Sequence, residues 1–178
     1  EGKVKRFFYE QRKRQLRRLE EQLGKDLTRE LAVESLLLDP EVENAWAAWC
    51  WAVAHGQIAC LARSVDGLWL YHVWRMRYEE AEAAFGAAAR ELEAIDSPAG
   101  QRLRAKLLVL RSYFEVEQGK KQAVETAEQG LALLQTLEQA GHDVRPETAL
   151  AMVERARMKY YDHEPLEARQ QYARSVAL

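Results

Sequence analysis

Four histidines are the side chains of this sequence best suited to general acid–base or metal chemistry, and they lie far apart: His55, His72, His142 and His163. Asp162-His163-Glu164 sets two carboxylates beside a histidine, but adjacent residues in a turn point in different directions, which disfavours a metal site. His142-Asp143 is more simply a solvated side chain and a cap. Glutamate pairs such as Glu79-Glu80 are typical of solvated helix faces and do not indicate a desolvated catalytic pair. We therefore expect no catalytic residue and no metal site.

Redox and nucleotide chemistry have equally little support. Cys50 and Cys60 lie among Trp, Ala and Leu without CxxC spacing, so we expect buried, reduced thiols. Gly24-Lys25 and Gly119-Lys120 lack the spacing and the Ser/Thr of a phosphate-binding loop. The sequence thus predicts a protein that is not an enzyme and that carries no cofactor.

The composition indicates what kind of scaffold carries these residues. The 178 residues are 48% hydrophobic and 30% charged, with only nine Gly and four Pro, and strong helix formers fill the intervals. No apolar run approaches the roughly 18 residues of a membrane span, and no secretory segment follows the basic start. We expect an all-α protein, cytoplasmic and without membrane contact.

Helix breakers and capping residues divide the chain into about nine predicted helices. Asp66-Gly67 lies inside the fourth but leaves its apolar residues in helical phase, so we predict one uninterrupted helix there. The predicted segments are residues 1–24, 26–38, 40–55, 57–76, 77–95, 98–118, 120–140, 145–161 and 165–178. Short connectors favour antiparallel packing of neighbouring helices.

A repeat emerges when alternate helices are aligned on a small residue. Ala81, Ala123 and Ala168 are each followed at +4 and +7 on the same helical face, in the sets Ala81/Phe85/Ala88, Ala123/Ala127/Gly130 and Ala168/Tyr172/Ser175. The steps between them are 42 and 45 residues, longer than the roughly 34 residues of an ordinary tetratricopeptide repeat. The pattern predicts a right-handed superhelical stack of antiparallel helical hairpins, a tetratricopeptide-like α-solenoid.

This register also predicts a binding surface on the first helix of each pair. The residues that it places on the concave side are Arg63, Asp66, Trp74, Ser112, Glu115, Arg157, Tyr160 and Tyr161. Arg, Tyr and Trp are residue types that anchor interfaces. The alternative is that Trp74 and the two tyrosines close the core between repeats. By contrast, we expect Trp69, Tyr78, Ala81 and Phe85 to be core residues.

The resulting domain organisation is a helical linker or cap over residues 1–56, followed by one continuous array of repeats over residues 57–178. The chain begins without Met, and a helical pattern still runs at Leu178. We therefore expect a piece of a longer protein.

A Trp-rich helix before the repeats carries a resemblance to a known family. Residues 39–56 read DPEVENAWAAWCWAVAHG, and Gly67-Leu68-Trp69 and Arg77-Tyr78-Glu79-Glu80-Ala81 follow them. This series resembles the linker and first helical repeats of bacterial signal-transduction ATPases of the STAND class, including regulators similar to the maltose regulator with a LuxR-type DNA-binding end. The resemblance implies a sensor arm that receives a protein or small-molecule effector and controls an ATPase module in cis.

Three functions are consistent with these observations. The first is a non-catalytic binding arm, in which a protein or small-molecule effector occupies the concave face. The second is self-association into a homo-oligomer through exposed ends of the stack. The third and weaker is nucleic-acid contact through residues 1–24, where eight basic residues face four acidic ones. An apolar stripe and interleaved acids make a packed amphipathic helix the plainer interpretation of that segment, so we expect no nucleic-acid partner.

Overall fold

A computed structural model describes residues 44–162 and 164–176. The chain divides into two compact units, residues 1–48 and residues 49–178. The first unit is described only at residues 44–48, which are helical. The second unit contains all the side chains considered below.

The described residues form seven α-helices, with no strand among them. Helix α1 covers residues 44–54. The other six are α2 (Ile58–Arg75), α3 (Tyr78–Glu91), α4 (Pro98–Glu117), α5 (Ala123–Gln139), α6 (Arg145–Tyr161) and α7 (Pro165–Val176), with a 3₁₀ turn at Leu92–Ala94 after α3.

Local chemistry explains where these helices begin and end. The hydroxyl of Ser97 accepts a hydrogen bond from the amide of Gly100 at 3.1 Å, and Pro98 occupies the first turn, so α4 is capped as the sequence predicts. Helix α2 ends at Met76 with φ 55°, a left-handed conformation that is uncommon outside Gly. The amide of Arg77 there donates to the carbonyl of His72 at 3.1 Å, which satisfies one of the carbonyl groups at the C-terminal end of the helix.

The helices pack with their immediate neighbours and, on one side, with alternate members. Contacts join α2 to α3, α4 to α5 and α6 to α7, which we call the first, second and third hairpins. Further contacts join α2 to α4 and α4 to α6, whereas α3 and α5 each contact the first helix of the following hairpin. The first helices of the three hairpins, α2, α4 and α6, therefore follow one another.

The core changes character along this succession. Between the first and second hairpins it is aromatic, with Phe85 and Phe114 both fully buried and their ring centroids 5.6 Å apart. Around α4, α5 and α6 it is aliphatic, and its buried members are Ala105, Val109, Leu131, Leu134, Leu137, Val144 and Ala151. Gly130 lets α5 approach α4 closely, because a Cβ there would lie 3.0 Å from the carbonyl oxygen of Ala105.

The all-helical class predicted from sequence is confirmed for the described residues. Helix α2 runs through Asp66-Gly67 without a break, as predicted. The first two predicted helices, and residues 39–43 of the resemblance-bearing run at 39–56, lie outside the described residues, whereas residues 44–54 of that run form α1. One expectation was wrong: Cys50 and Cys60 are free but exposed rather than buried, because both lie on the outer sides of their helices.

The predicted alignment on Ala81, Ala123 and Ala168 falls on buried positions, since all three are at most 3% exposed. Of the four residues predicted to be core, Ala81 and Phe85 are fully buried, whereas Trp69 and Tyr78 are partly exposed. Trp69 is therefore only partly covered at the surface of α2, close to side chains of the following helices.

Candidate functional site

Three side chains from the first helices of the three hairpins stack into a ladder. Trp69 of α2 meets Tyr113 of α4 edge-to-face with ring centroids 5.4 Å apart. The guanidinium of Arg157, from α6, lies 3.8 Å from the centroid of the same tyrosine ring. These residues are 44 positions apart along the chain at each step, so the ladder follows the succession α2, α4, α6. The edge-to-face pair and the cation–π contact are both favourable geometries.

Arg157 is also the centre of a charged cluster between α4 and α6. Its guanidinium donates to Glu117 Oε1 at 2.6 Å and to Glu154 Oε2 at 2.8 Å. A further N–H donates to the backbone carbonyl of Tyr113 at 3.1 Å. The hydroxyl of Tyr161 lies 3.5 Å from the same Glu117 oxygen. One guanidinium thus ties α6 to α4 by ionic, hydrogen-bonding and ring contacts.

Burial sets the electrostatics of this cluster. Desolvation raises the pKa of Glu154 and of Glu117, and the attraction of Arg157 offsets this only in part. Burial likewise raises the pKa of the Tyr113 hydroxyl, with the nearby Glu117 carboxylate adding to the effect. The tyrosines therefore stay neutral at ordinary pH and offer hydroxyl donors and ring faces rather than charge.

Three of the residues predicted for the concave side lie with this ladder. Arg157 and Tyr161 belong to the cluster itself. Asp66 of α2 reaches across to Lys106 of α4 at 2.8 Å, in an ion pair that is much more exposed than that of Arg157. We use the term ladder face for the side of α2, α4 and α6 that carries these seven residues: Asp66, Trp69, Lys106, Tyr113, Glu117, Arg157 and Tyr161.

Two of the predicted residues are buried instead of presented. Ser112 is fully buried and donates its hydroxyl to the carbonyl of Val109 at 2.7 Å. Glu115 is also fully buried, with one oxygen 2.9 Å from Arg111. Both lie on the packed side of α4, because α4 is covered by helices of the first, second and third hairpins. Neither side chain is accessible to a ligand in this structure.

The remaining predicted residues are exposed. Tyr160 is 64% exposed and packs edge-on to Tyr161. Arg63 donates to the carbonyl of Ala59 within its own helix, and Trp74 is 55% exposed. At 100° per residue, Arg63 and Trp74 lie about 120–140° around α2 from Trp69. They therefore occupy a different side of α2 from the one that faces α4.

Sequence reasoning missed Tyr113, Glu117, Glu154 and Lys106. A signal for the ladder was present, because Trp69, Tyr113 and Arg157 recur every 44 residues. The alignment on small residues used the second helix of each hairpin. It gave unequal steps of 42 and 45 instead, because the connector between the first and second helices differs in length. The two glutamates carried no signal in a chain with 28 acidic residues.

The ladder face offers ring faces, hydroxyls and charges of both signs. Among residues 44–162 and 164–176, no three His, Cys, Asp or Glu side chains lie close enough together to hold a metal ion. His163 of the Asp162-His163-Glu164 run lies outside the described residues. No helix in the described ranges is both long and apolar enough to span a bilayer.

Comparison with known proteins gave no match: none among protein-family models, none among curated proteins and none among solved structures. Any functional assignment therefore depends on the residues themselves.

Proposed function

We propose that this chain is a non-catalytic binding module, a tetratricopeptide-like α-solenoid of about nine helices whose ladder face receives a protein or peptide segment. The observation that carries the proposal is the ladder, in which successive hairpins bring Trp69, Tyr113 and Arg157 into register on one side. A surface built from one side chain per repeat suits an extended ligand, because each hairpin adds one contact along its length.

The residue types support recognition of a peptide. Tyr, Trp and Arg are the side chains that most often dominate binding energy at interfaces. Tyr161 at 41% exposure and Tyr160 at 64% exposure widen the face at α6. Asp66 is already paired with Lys106, and Arg157 with Glu117, in each case across helices. These groups therefore hold their positions before a ligand arrives, which lowers the ordering cost of binding.

The test uses two tyrosines of equal exposure. Short random peptides displayed on phage are selected on the purified chain, and affinities of the selected peptides are measured by fluorescence anisotropy. Tyr161→Ala, on the ladder face, should weaken binding by about fivefold or more, or about 1 kcal/mol. Tyr172→Ala removes a side chain of the same 41% exposure from α7 and should leave affinity unchanged. Equal effects of both changes, or no selectable peptide, would contradict the proposal.

The wider role that we propose is that of a sensor arm in a bacterial STAND-class regulator, with an ATPase module in cis and transcriptional control as output. Its support is the Trp-rich run at residues 39–56 together with the repeats after it. An effector on the ladder face would act by favouring one arrangement of the arm over another, since a ligand shifts an equilibrium only through differential affinity. A phosphate-binding loop encoded upstream of Glu1 would support this role, and an unrelated upstream domain would contradict it.

A second candidate is self-association through α7. Tyr172 and Val176, four residues apart on one side of α7, are 41% and 87% exposed, and Leu166 is 75% exposed. The positions that align with Tyr172 and Val176 are Phe85 and Ala89 in α3 and Ala127 and Leu131 in α5, and all four are buried. Light scattering should then report a mass that rises with concentration and falls back for Val176→Glu. A concentration-independent monomer would exclude this candidate.

A further inference from the structure

The cluster around Arg157 is unusual in its charge balance. The side chains of Arg157, Glu117 and Glu154 are only 16%, 8% and 5% exposed. Both carboxylates bind the same guanidinium. When all three groups are ionised, the buried cluster therefore carries one negative charge in excess, which is costly away from water.

The structure provides no second cation to Glu117 or Glu154 among the described residues. The groups that face the cluster are neutral hydroxyls: Tyr113 on α4, Tyr161 on α6 and Tyr78 on α3, whose electrostatic influence reaches both of the other tyrosines. Ion pairs of the surrounding elements are formed away from the cluster. They are Asp66–Lys106, Glu82–Lys120, Arg111–Glu115, Glu128–Arg155, Glu164–Lys159 and Glu167–Lys159.

A single shared proton resolves the imbalance. Protonation of either glutamate leaves one carboxylate opposite one guanidinium, with the protonated acid as a neutral hydrogen-bonding group. Burial raises the pKa of Glu154, and the neighbouring Glu117 carboxylate raises it further. Burial raises the pKa of Glu117 in the same direction. Both shifts mean that the packed cluster holds its proton to higher pH than the separated residues do.

We propose that Glu117, Glu154 and Arg157 form a proton-dependent latch between the second and third hairpins, closed while the two glutamates share one proton and loosened when both are ionised. The latch joins α4 to α6, and it adjoins the ladder because Arg157 belongs to both the latch and the ladder. Loosening it would let the third hairpin shift relative to the second and would displace Arg157 from the Tyr113 ring. This inference does not depend on the proposed binding role, since it concerns the chain alone.

The sign of the pH effect follows from linkage. The folded chain binds more protons than the unfolded chain at pH values between the unfolded and folded pKa of these glutamates. Stability therefore falls as pH rises through that interval. The buried His72, whose pKa burial lowers, changes stability in the opposite direction as pH rises, so it does not imitate the latch.

The experiment compares urea unfolding from about pH 5 to about pH 8 in the wild type and in Glu154→Gln. Glutamine is a neutral stand-in for the protonated acid and keeps an oxygen that can accept from Arg157. The unfolding equilibrium constant of the wild type should rise with pH by about tenfold for each unit of pKa shift. Glu154→Gln should lose that rise. Glu128→Gln, at an exposed acid paired with Arg155, is the matched control and should retain it.

A second measurement does not require any variant to fold. Carbon-detected NMR of the wild type follows the carboxyl carbon of each glutamate through a pH titration. Titration of Glu117 or Glu154, assigned through the bonded backbone, well above the other glutamates supports the latch. The latch is overturned if all glutamates titrate in the ordinary range, or if Glu154→Gln keeps the full pH dependence of the wild type.

Discussion

The two junctions between successive hairpins occupy equivalent places but use different chemistry. Between α2 and α4, fully buried Phe114 lies near the ring of His72, and burial lowers the pKa of that histidine. Between α4 and α6, the guanidinium of Arg157 lies between two carboxylates. The buried part of the first junction is aromatic, whereas that of the second holds a guanidinium and two carboxylates. One repeat geometry thus accommodates an aromatic junction and a charged one.

The largest effect should come from emptying the aromatic junction. Phe114→Ala removes a side chain whose ring contacts those of His72, Tyr78 and Phe85. The lost burial and the remaining cavity should lower the free energy of unfolding by about 4 kcal/mol. Urea unfolding measures the loss. Phe114→Leu keeps most of the volume, and a loss as large as that of the alanine variant would mean that ring contacts, not burial, hold this junction.

Removing the cation of the second junction should lower the free energy of unfolding slightly less than Phe114→Ala does. Arg157→Met keeps an apolar stem but leaves Glu117 and Glu154 buried without a partner, at a cost of about 3 kcal/mol near neutral pH. The cost should shrink on acidification, since both acids then become neutral. Unfolding at acidic and neutral pH checks this. A pH-independent loss would show that Arg157 acts through packing rather than charge.

The same Gly→Ala substitution should have opposite effects on stability at two glycines within helices. Gly130→Ala should lower the free energy of unfolding by about 1 kcal/mol, because the added Cβ meets the Ala105 carbonyl and the Val109 side chain at 3.0 Å. Gly67→Ala lies in α2 with open space around the new atom. It should instead stabilise by about 1 kcal/mol through helix propensity. Thermal unfolding of the two variants should therefore shift in opposite directions.

The smallest effect should come from the exposed counterpart of the Arg157 pair. Asp66 and Lys106 also join two hairpins across 40 residues, but the aspartate side chain is 68% exposed. Water and salt screen such a pair, so Asp66→Asn should change the free energy of unfolding by less than about 0.5 kcal/mol. A loss comparable to that of Arg157→Met would remove the distinction between the buried and the exposed pair.

The helices could be predicted because their ends depend on local chemistry. Ser97-Pro98 marked the start of α4, and Gly56, Gly119 and Gly141 each adopt positive φ in a turn after a helix. The alignment on Ala81, Ala123 and Ala168, which are all buried, could also be predicted, because small residues recur where helix backbones approach each other closely. In these cases the deciding interactions lie within a few residues along the chain.

The candidate site could be predicted only in part, since its partners lie about 40 residues apart in sequence. Arg157 and Tyr161 were identified by residue type, but Glu117 and Glu154 resemble any other acids of a charged helical protein. Ser112 and Glu115 were assigned to the concave side because the register treated α4 as having one open side. Helices pack around most of α4, and Lys106, Tyr113 and Glu117 lie on a strip of it that is only partly covered.

Hydrogen–deuterium exchange at acidic and near-neutral pH, corrected for the intrinsic pH dependence of amide exchange, tests the contrast between the two junctions most directly. We expect protection of amides in α6 and α7 to fall as pH rises. Protection in α2 and α3 should not fall, because the lowered pKa of His72 stabilises the first junction as pH rises. The fall should vanish in Glu154→Gln. A fall across all helices, or none in α6 and α7, would contradict the claim that only the second junction loosens as pH rises.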